Sequence, residues 1–254
     1  MRSPVSSRAA RQSGRTVLTE PECRLLLAAY SLPTVESHSA AEEAEAIDRA
    51  EAMGYPVLLT LQTESTEQYP ISVQLHARDQ AAVRRVYRTL QLIEREHADA
   101  GSWRGVRVQP APRPGDCHIT LASTLDPQLG PVIQLSAAGS GEGVARLRSI
   151  ALPPLSVPHV RKLAKQASLF TAAGASSWNE WMDLNVLEQL LSRFSRLVVG
   201  EPWLKEIHLD PLIASPNRLT LVEARALLHS PRVPEESLPR PLFVSPTMRK
   251  NFRN

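Results

Sequence analysis

Cysteine is nearly missing from this chain: Cys23 and Cys117 are the only two among 254 residues. No CxxC pair and no disulfide framework can be built from them, which fits a reducing cytosol. Long apolar runs are missing as well. Nothing approaches the ~18 consecutive apolar residues that a membrane-spanning helix needs, so no membrane partner is expected. Aromatic residues make up only 5% of the chain and are scattered, leaving no platform for stacked bases. Acid is absent from both ends. Arg2, Arg8, Arg11 and Arg15 fall in the first 17 residues, and Arg240, Arg249, Lys250 and Arg253 in the last 15. Without these eight, the formal charge of +3 becomes −5 for residues 18–239. The remainder is mildly acidic, so the basic balance is no nucleic-acid footprint, which needs Lys and Arg clustered on a folded face.

What is present reads as a globular α/β or α+β chain, 43% hydrophobic and 22% charged. Residues 1–17, rich in Ser and Arg, read as a flexible basic segment rather than a transit peptide. Thr19-Glu20-Pro21-Glu22 opens a helix, with a Thr cap, an early proline and acids in the first turn. The Ala/Glu-rich stretch 40–53 predicts a second helix stopped by Gly54. Strands are expected at 55–61, 71–75 and 106–109, with a long amphipathic helix at 78–100. Further strands follow at 118–123 and 132–135, then a helix at 157–167. A helix at 182–199 is apolar at Leu184, Leu187, Leu190, Leu191, Phe194 and Leu197. Residues after 229 are Pro-rich and basic and read as an extended tail.

The stretch with the most chemistry lies near the C-terminus. Glu206, His208 and Asp210 alternate along a strand-like run and so share one face. Pro211 is expected to end that run. A second strand, Leu219-Thr220-Leu221-Val222-Glu223-Ala224-Arg225, adds another acid. Neighbouring strands that each present an acid can hold Mg2+ beside phosphate; an ordinary hairpin with a solvated acidic face is the alternative. Cys117 and His118 are adjacent on a strand and face opposite ways, so they form no nucleophile pair. Gly139-Ser140-Gly141 lacks the strand–turn–helix setting of a nucleophilic serine.

Four segments, in order, carry a resemblance to a known family. Leu18-Thr19-Glu20-Pro21-Glu22 with Leu25-Leu26-Leu27-Ala28-Ala29-Tyr30 is similar to its opening helix. Ala50-Glu51-Ala52-Met53-Gly54-Tyr55-Pro56-Val57 is similar to its helix–GYPV–strand passage. Asp126-Pro127-Gln128-Leu129-Gly130-Pro131-Val132-Ile133 and the run from Glu206 to Ser215 supply the other two. Together they resemble the ATP-grasp part of the NDP-forming (ADP-forming) acyl-CoA synthetases over about residues 18–229. The Leu152-Pro153-Pro154-Leu155 turn and the Pro239-Arg240-Pro241 tail resemble the subgroup fused to GNAT-type protein acetyltransferases. The resemblance implies two lobes, 18–105 and 106–229, each a small sheet flanked by helices, followed by a tail at 230–254. It implies Mg-ATP as cofactor and a CoA-binding synthetase domain or a GNAT-type acetyltransferase domain as partner, with acyl-CoA as a further ligand. Thr60, Gln109 and Gly139 then fall at nucleotide-facing positions, and Glu206, His208, Asp210 and Glu223 at the metal.

The departures from the pattern are as informative. Thr60 stands where the family has a phosphate-touching lysine. The loop from Gln62 to Ser72 has no His, Lys or Gly, and its Glu64 and Glu67 repel phosphate. Ser136-Ala137-Ala138-Gly139 keeps one glycine of a glycine-rich cover. A missing phosphate-carrying histidine removes a covalent step outright. A missing preorganised charge commonly costs about 10²–10³ in rate. The expectation is a degenerate module, regulatory or scaffolding and not an active enzyme alone. The alternative is a functional ATP-binding subunit of an ADP-forming acyl-CoA ligase working with a CoA-binding partner.

Overall fold

The computed structural model of the chain describes residues 5–63, 73–97, 103–111, 117–138, 148–166, 184–215 and 218–239. Most of the Gln62–Ser72 loop, the Gly139–Ser140 loop, Trp178, Trp181 and the end of the tail lie outside these residues. In chain order the elements are α1 (Val5–Gln12), α2 (Glu20–Ala29), β1 (His38–Ala40), α3 (Glu43–Met53), β2 (Val57–Thr63), β3 (Gln74–Ala77), α4 (Gln80–His97) and β4 (Trp103–Pro110). They continue with β5 (Cys117–Asp126), β6 (Gly130–Ala138), β7 (Arg148–Ala151), α5 (Val157–Gln166), α6 (Leu184–Gly200), β8 (Leu204–Ser215), β9 (Arg218–Leu221), β10 (Ala224–Leu228) and a short 3-10 turn at Glu235–Ser237.

The chain divides into two compact units, Met1–Thr34 with Cys117–Asn254, and Val35–Asp116. Each holds one sheet whose described pairings are all antiparallel: β1-β4-β2-β3 in the smaller unit, and β10-β8-β5-β6-β7 with β9 on β8 in the larger. The class is therefore α+β, with helices flanking antiparallel sheets.

In the smaller unit, Val57, Leu59, Ala77, Val106 and Val108 point to one face of the sheet. There they bury against Ala46, Ile47 and Ala50 of α3 and Val83, Tyr87 and Leu90 of α4. The helix α3 stops at Gly54, as its sequence predicts. Gly54 has φ +78°, and its N–H donates to the Ala50 carbonyl at 3.0 Å. In the larger unit, the apolar stripe of α6 (Leu187, Leu190, Leu191, Phe194 and Leu197) is buried with Ile119, Leu121, Ile133, Leu135, Ile207 and Leu209 of the sheet. The predicted start of α2 is also present: Thr19 is its N-cap, Pro21 lies in the first turn, and the Thr19 N–H donates to Glu22 Oε2 at 2.8 Å.

Several expectations need correction. Residues 5–12 are helical, not a flexible tail: Ala10 is buried and the buried Ser7 donates to Glu201. A lobe of residues 18–105 does not form, because residues 18–34 belong with the C-terminal unit and β4 belongs wholly to the smaller one. The physical reason is visible at α2, whose Cys23, Leu26 and Leu27 bury in the larger core. Residues 230–239 are not simply extended, since Leu238 is buried and the Arg11 guanidinium donates to the carbonyls of Val233 and Ser230.

Pro211 does not end its strand. Ile119 pairs with Leu212 and Leu121 with Leu209, so Asp210 and Pro211 together stand opposite Thr120. That is a β-bulge, a position inside a sheet that tolerates a residue with no N–H to donate. The bulge also restores the alternation, so Leu209 and Leu212 both reach the core.

Candidate functional site

Two faces hold the residues singled out by the sequence. The first is the side of the small sheet turned away from α3 and α4. Strand parity places Leu58, Thr60, Arg107 and Gln109 there, with Gln74 and His76 of β3 beside them. Leu58, Thr60, Arg107 and Gln109 are all buried, Gln109 completely. Thr60 Oγ1 and both polar atoms of the Gln109 amide are buried without a hydrogen-bond partner among the described residues. Leaving such groups unpaired typically costs about 1–3 kcal/mol each, and buried polar groups without partners call for an explanation. Leu58 pairs with Gln109 and Thr60 with Arg107, so the two orphaned side chains lie one face-sharing step apart on adjacent strands.

The sequence reading found Thr60 and Gln109 but passed over Arg107. The signal was available, since Arg107 and Gln109 alternate in Val106-Arg107-Val108-Gln109 and must share a face. Gly139 lies outside the described residues.

The second face is the outward side of β8. Its neighbours Ile207 and Leu209 point to the core, so Glu206, His208 and Asp210 point away from it, as alternation predicts. Glu206 and His208 are half-buried and Asp210 is exposed. His208 Nε2 lies 3.6 Å from Glu206 Oε2, and Lys205 Nζ lies 3.9 Å from Glu206 Oε1. Glu223 falls in the short link between β9 and β10, where its carbonyl accepts the Asp210 N–H at 3.2 Å. Three of the four residues thus lie on β8, an interior strand of its sheet, and the fourth is tied to it through the backbone. Among the described residues, no three His, Cys, Asp or Glu side chains form a group that could hold a metal by themselves.

The buried Cys23 thiol is pushed up to about 12, chiefly by burial, which removes it as a nucleophile. No described helix is long and apolar enough to cross a membrane.

Comparison with known proteins supplies the family. A profile of the ATP-grasp domain matches residues 9–228. The beta subunit of ADP-forming acetate–CoA ligase II from Pyrococcus furiosus is 25% identical over 228 residues, spanning 85% of this chain and 93% of the subunit. The corresponding beta subunit of ligase I is 22% identical over 216 residues, spanning 83% and 91%. Among solved structures, the dinucleotide-forming acetyl-coenzyme A synthetase 1 of Ca. Korarchaeum cryptofilum, in complex with coenzyme A and Ca-AMPCP, aligns with a TM-score of 0.73 at 24% identity. That alignment spans 87% of this chain and 97% of the other. PH1788 of Pyrococcus horikoshii aligns with a TM-score of 0.71 at 23% identity, spanning 88% and 96%. At these identities the structural likeness is one of fold.

Proposed function

Since the chain belongs to the ATP-grasp domain family, we propose that it is a nucleotide-binding module of an ADP-forming acyl-CoA synthetase-like system whose phosphoryl-transfer chemistry is lost. The observation that carries this reading is the pair of buried, unpartnered polar side chains, Thr60 and Gln109, on the side of the small sheet turned away from α3 and α4. A hydroxyl and a primary amide in that state offer two kinds of donor and acceptor to a polar ligand. A bound ligand would remove the desolvation cost they otherwise bear.

Each unit, taken by itself, offers groups of a kind that suits part of Mg-ATP. Thr60 and Gln109 suit hydrogen bonding to a base or sugar, or to a phosphate oxygen. The hard carboxylate oxygens of Asp210 and Glu223 suit Mg2+, which is usually held by one or two carboxylates plus phosphate oxygens. Glu206 and His208, already 3.6 Å from one another, would orient the neighbouring strand face rather than complete the ion's shell. When bound, Mg-ATP supplies a transferable phosphoryl group. The chain's own sequence from Gln62 to Ser72 offers no histidine to receive it.

On this reading the module regulates or scaffolds a CoA-binding synthetase domain or a GNAT-type acetyltransferase domain in the cytosol. Titration calorimetry of the full chain with MgATP, MgADP and acetyl-CoA tests it, alongside a turnover assay. The expected result is nucleotide binding without acyl-CoA-dependent turnover. Robust ADP-forming acyl-CoA synthesis by the chain alone would end the degenerate reading.

A second reading, a functional ATP-binding subunit of an ADP-forming acyl-CoA ligase, is compatible with the same comparisons. The chain matches more than nine-tenths of two ligase beta subunits, a length that suits a working subunit and a degenerate one alike. Reconstitution with such a partner, followed by a search for acid-labile labelled phosphate, separates the two. Labelled phosphate on either chain, together with turnover, would replace the first reading by the second.

A further inference from the structure

The two helices that cover the small sheet present opposite charge to solvent. α3 and α4 pack on one face of that sheet through Ala46, Ile47 and Ala50 and through Val83, Tyr87 and Leu90. Their far sides therefore point the same way, out of the smaller unit. On α4 that far side presents Arg85, Arg88, Leu92 and Arg95, all exposed. Residues three, four and seven apart on a helix are neighbours, so Leu92, 56% exposed, sits in a frame of three arginines. On α3 the far side presents Ala44, Asp48, Glu51 and Ala52, also exposed. We propose that this helix layer is the contact surface for a second copy of the chain, with α4 of each copy lying on α3 of the other about a two-fold axis. The inference goes beyond the nucleotide-binding reading and does not depend on it.

Charge complementarity selects the occupant. Glu43 meets Arg88 at 2.8 Å, and Glu45 meets Arg49 at 3.4 Å. Arg85 and Arg95 on α4, and Asp48 and Glu51 on α3, make no ion pair among the described residues. Like charges on one exposed face repel each other, and a partner surface of the opposite sign relieves them. A two-fold axis along the groove between the helices sets the arginines of each α4 over the carboxylates of the other copy's α3, and every pair forms twice. An axis across the helices would set arginine against arginine. A polyanion such as RNA fits less well, because a strand following the arginines of α4 would run beside the carboxylates of α3. Shape agrees with charge: Ala44 and Ala52 lie one turn either side of Asp48, and their low relief leaves room for the projecting Leu92 of the other copy. The longer helix has 18 residues, so the paired layer measures about 27 Å by about 20 Å, at the low end for specific association. The dimer is accordingly weak, and its exposed ion pairs make it sensitive to salt.

Analytical ultracentrifugation of the full chain tests this, from about 10 µM to about 500 µM, the range in which a small interface associates. The wild type should pass from monomer to dimer over that range at low salt. It should return to monomer at about 1 M salt, where the screening length is about 3 Å. Leu92→Ala should weaken the dimer by about tenfold or more, since its apolar contact occurs twice. Two charge reversals are decisive. Arg85→Glu with Arg95→Glu makes the far side of α4 acidic, and Asp48→Arg with Glu51→Arg makes that of α3 basic. Each double variant alone should stay monomeric through like-charge repulsion. An equimolar mixture of the two should recover the dimer, because every contact across it again joins opposite charges. Circular dichroism checks that both fold. Should one fail to, Arg85→Gln with Asp48→Asn takes its place and should weaken the dimer by about tenfold; an unchanged dimer there overturns the inference. A wild type that stays monomeric at the highest concentration also overturns it, as does a dimer that survives both reversals, or reversed variants that do not recover on mixing. A monomeric wild type that binds RNA or polyglutamate assigns the arginines to another partner and overturns it too. No arm contains nucleotide, so the nucleotide reading stands or falls separately.

Discussion

Ser7 and Glu201 are 194 residues apart in sequence, yet Ser7 Oγ donates to Glu201 Oε2 at 3.0 Å, both residues buried. Tyr30 completes the arrangement by donating its hydroxyl to Glu201 Oε1 at 3.0 Å. Burial raises the Tyr30 phenol well above its usual range, and the adjacent carboxylate adds to the shift, so the hydroxyl keeps its proton and remains a donor. One carboxylate at the end of α6 thus fastens both α1 and α2.

This fastening should be visible in stability. Ser7→Ala leaves one oxygen of a buried carboxylate without its donor and should cost about 1–2 kcal/mol in urea unfolding. Glu201→Ala strands two donors at once and should cost about 3 kcal/mol or more. Arg11 sits 4.2 Å over the Trp203 ring, so release of α1 should also change tryptophan emission. Equal stability of Ser7→Ala and wild type would show that the Ser7–Glu201 hydrogen bond adds no net stability.

Acid should loosen the same region through Glu22. Its carboxyl is held down to about 2, first by the Arg15 hydrogen bond and then by the Thr19 backbone and side chain. A carboxyl depressed in the folded state stabilises fully above its unfolded pKa, and that stability is lost as pH falls toward the folded value. Arg15 is 43% exposed, so solvent screening reduces the effect to about 1 kcal/mol. The stability gap between wild type and Glu22→Gln should therefore be full near neutrality and close between about pH 5 and about pH 2. A gap that stays constant over that range would show that the pair carries no linked stability.

Gly105 and Gly54 both have positive φ, at +105° and +78°, yet alanine should affect them differently. At Gly105 an added Cβ would lie 2.2 Å from the Ala40 carbonyl oxygen and 2.8 Å from Ala41 Cα. Both contacts are backbone, so no side chain can swing aside. At Gly54 the added atom meets nothing within 4 Å. Gly54→Ala should cost about 1 kcal/mol, the backbone strain alone. Gly105→Ala should cost about 3 kcal/mol or more and, by displacing β1 from β4, should disturb the ladder that sets Arg107 against Thr60. Similar melting temperatures for the two variants would contradict the close approach of β1.

Local patterning made much of this fold legible in the sequence. The apolar stripe of α6, the capped start of α2 and the glycine stop of α3 each follow from residues within a few positions of one another. What was not legible depended on distant partners. α1 carries few apolar residues, and its position is fixed by Glu201 and Trp203, far along the chain. Pro211 looked like a terminus because a bulge is defined by the partner strand, here by Thr120, and not by the proline itself. The candidate site divides in the same way. Alternation placed Thr60 on a strand face and set Glu206, His208 and Asp210 together. The opposition of Thr60 and Arg107 is a fact of register, which no single strand encodes.

The bulge at Asp210 and Pro211 leads to the last prediction. Because two residues of β8 face one of β5, the strand bends where Asp210 is exposed, and its N–H reaches the Glu223 carbonyl at 3.2 Å. Bulges often re-aim a side chain in this way. They bring an acid on β8 beside an acid on the β9–β10 link, whereas Glu206 is already engaged by Lys205 and His208. If Asp210 shares an ion with bound phosphates, wild-type ADP affinity should be higher with Mg2+ than with a chelator. Asp210→Asn should abolish that difference, a loss on the order of tenfold or about 1.4 kcal/mol. Glu206→Gln should leave most of it in place. Calorimetry with and without Mg2+ reads both directly. An undiminished Mg2+ effect in Asp210→Asn, or a larger loss in Glu206→Gln, would move the ion away from the bulge.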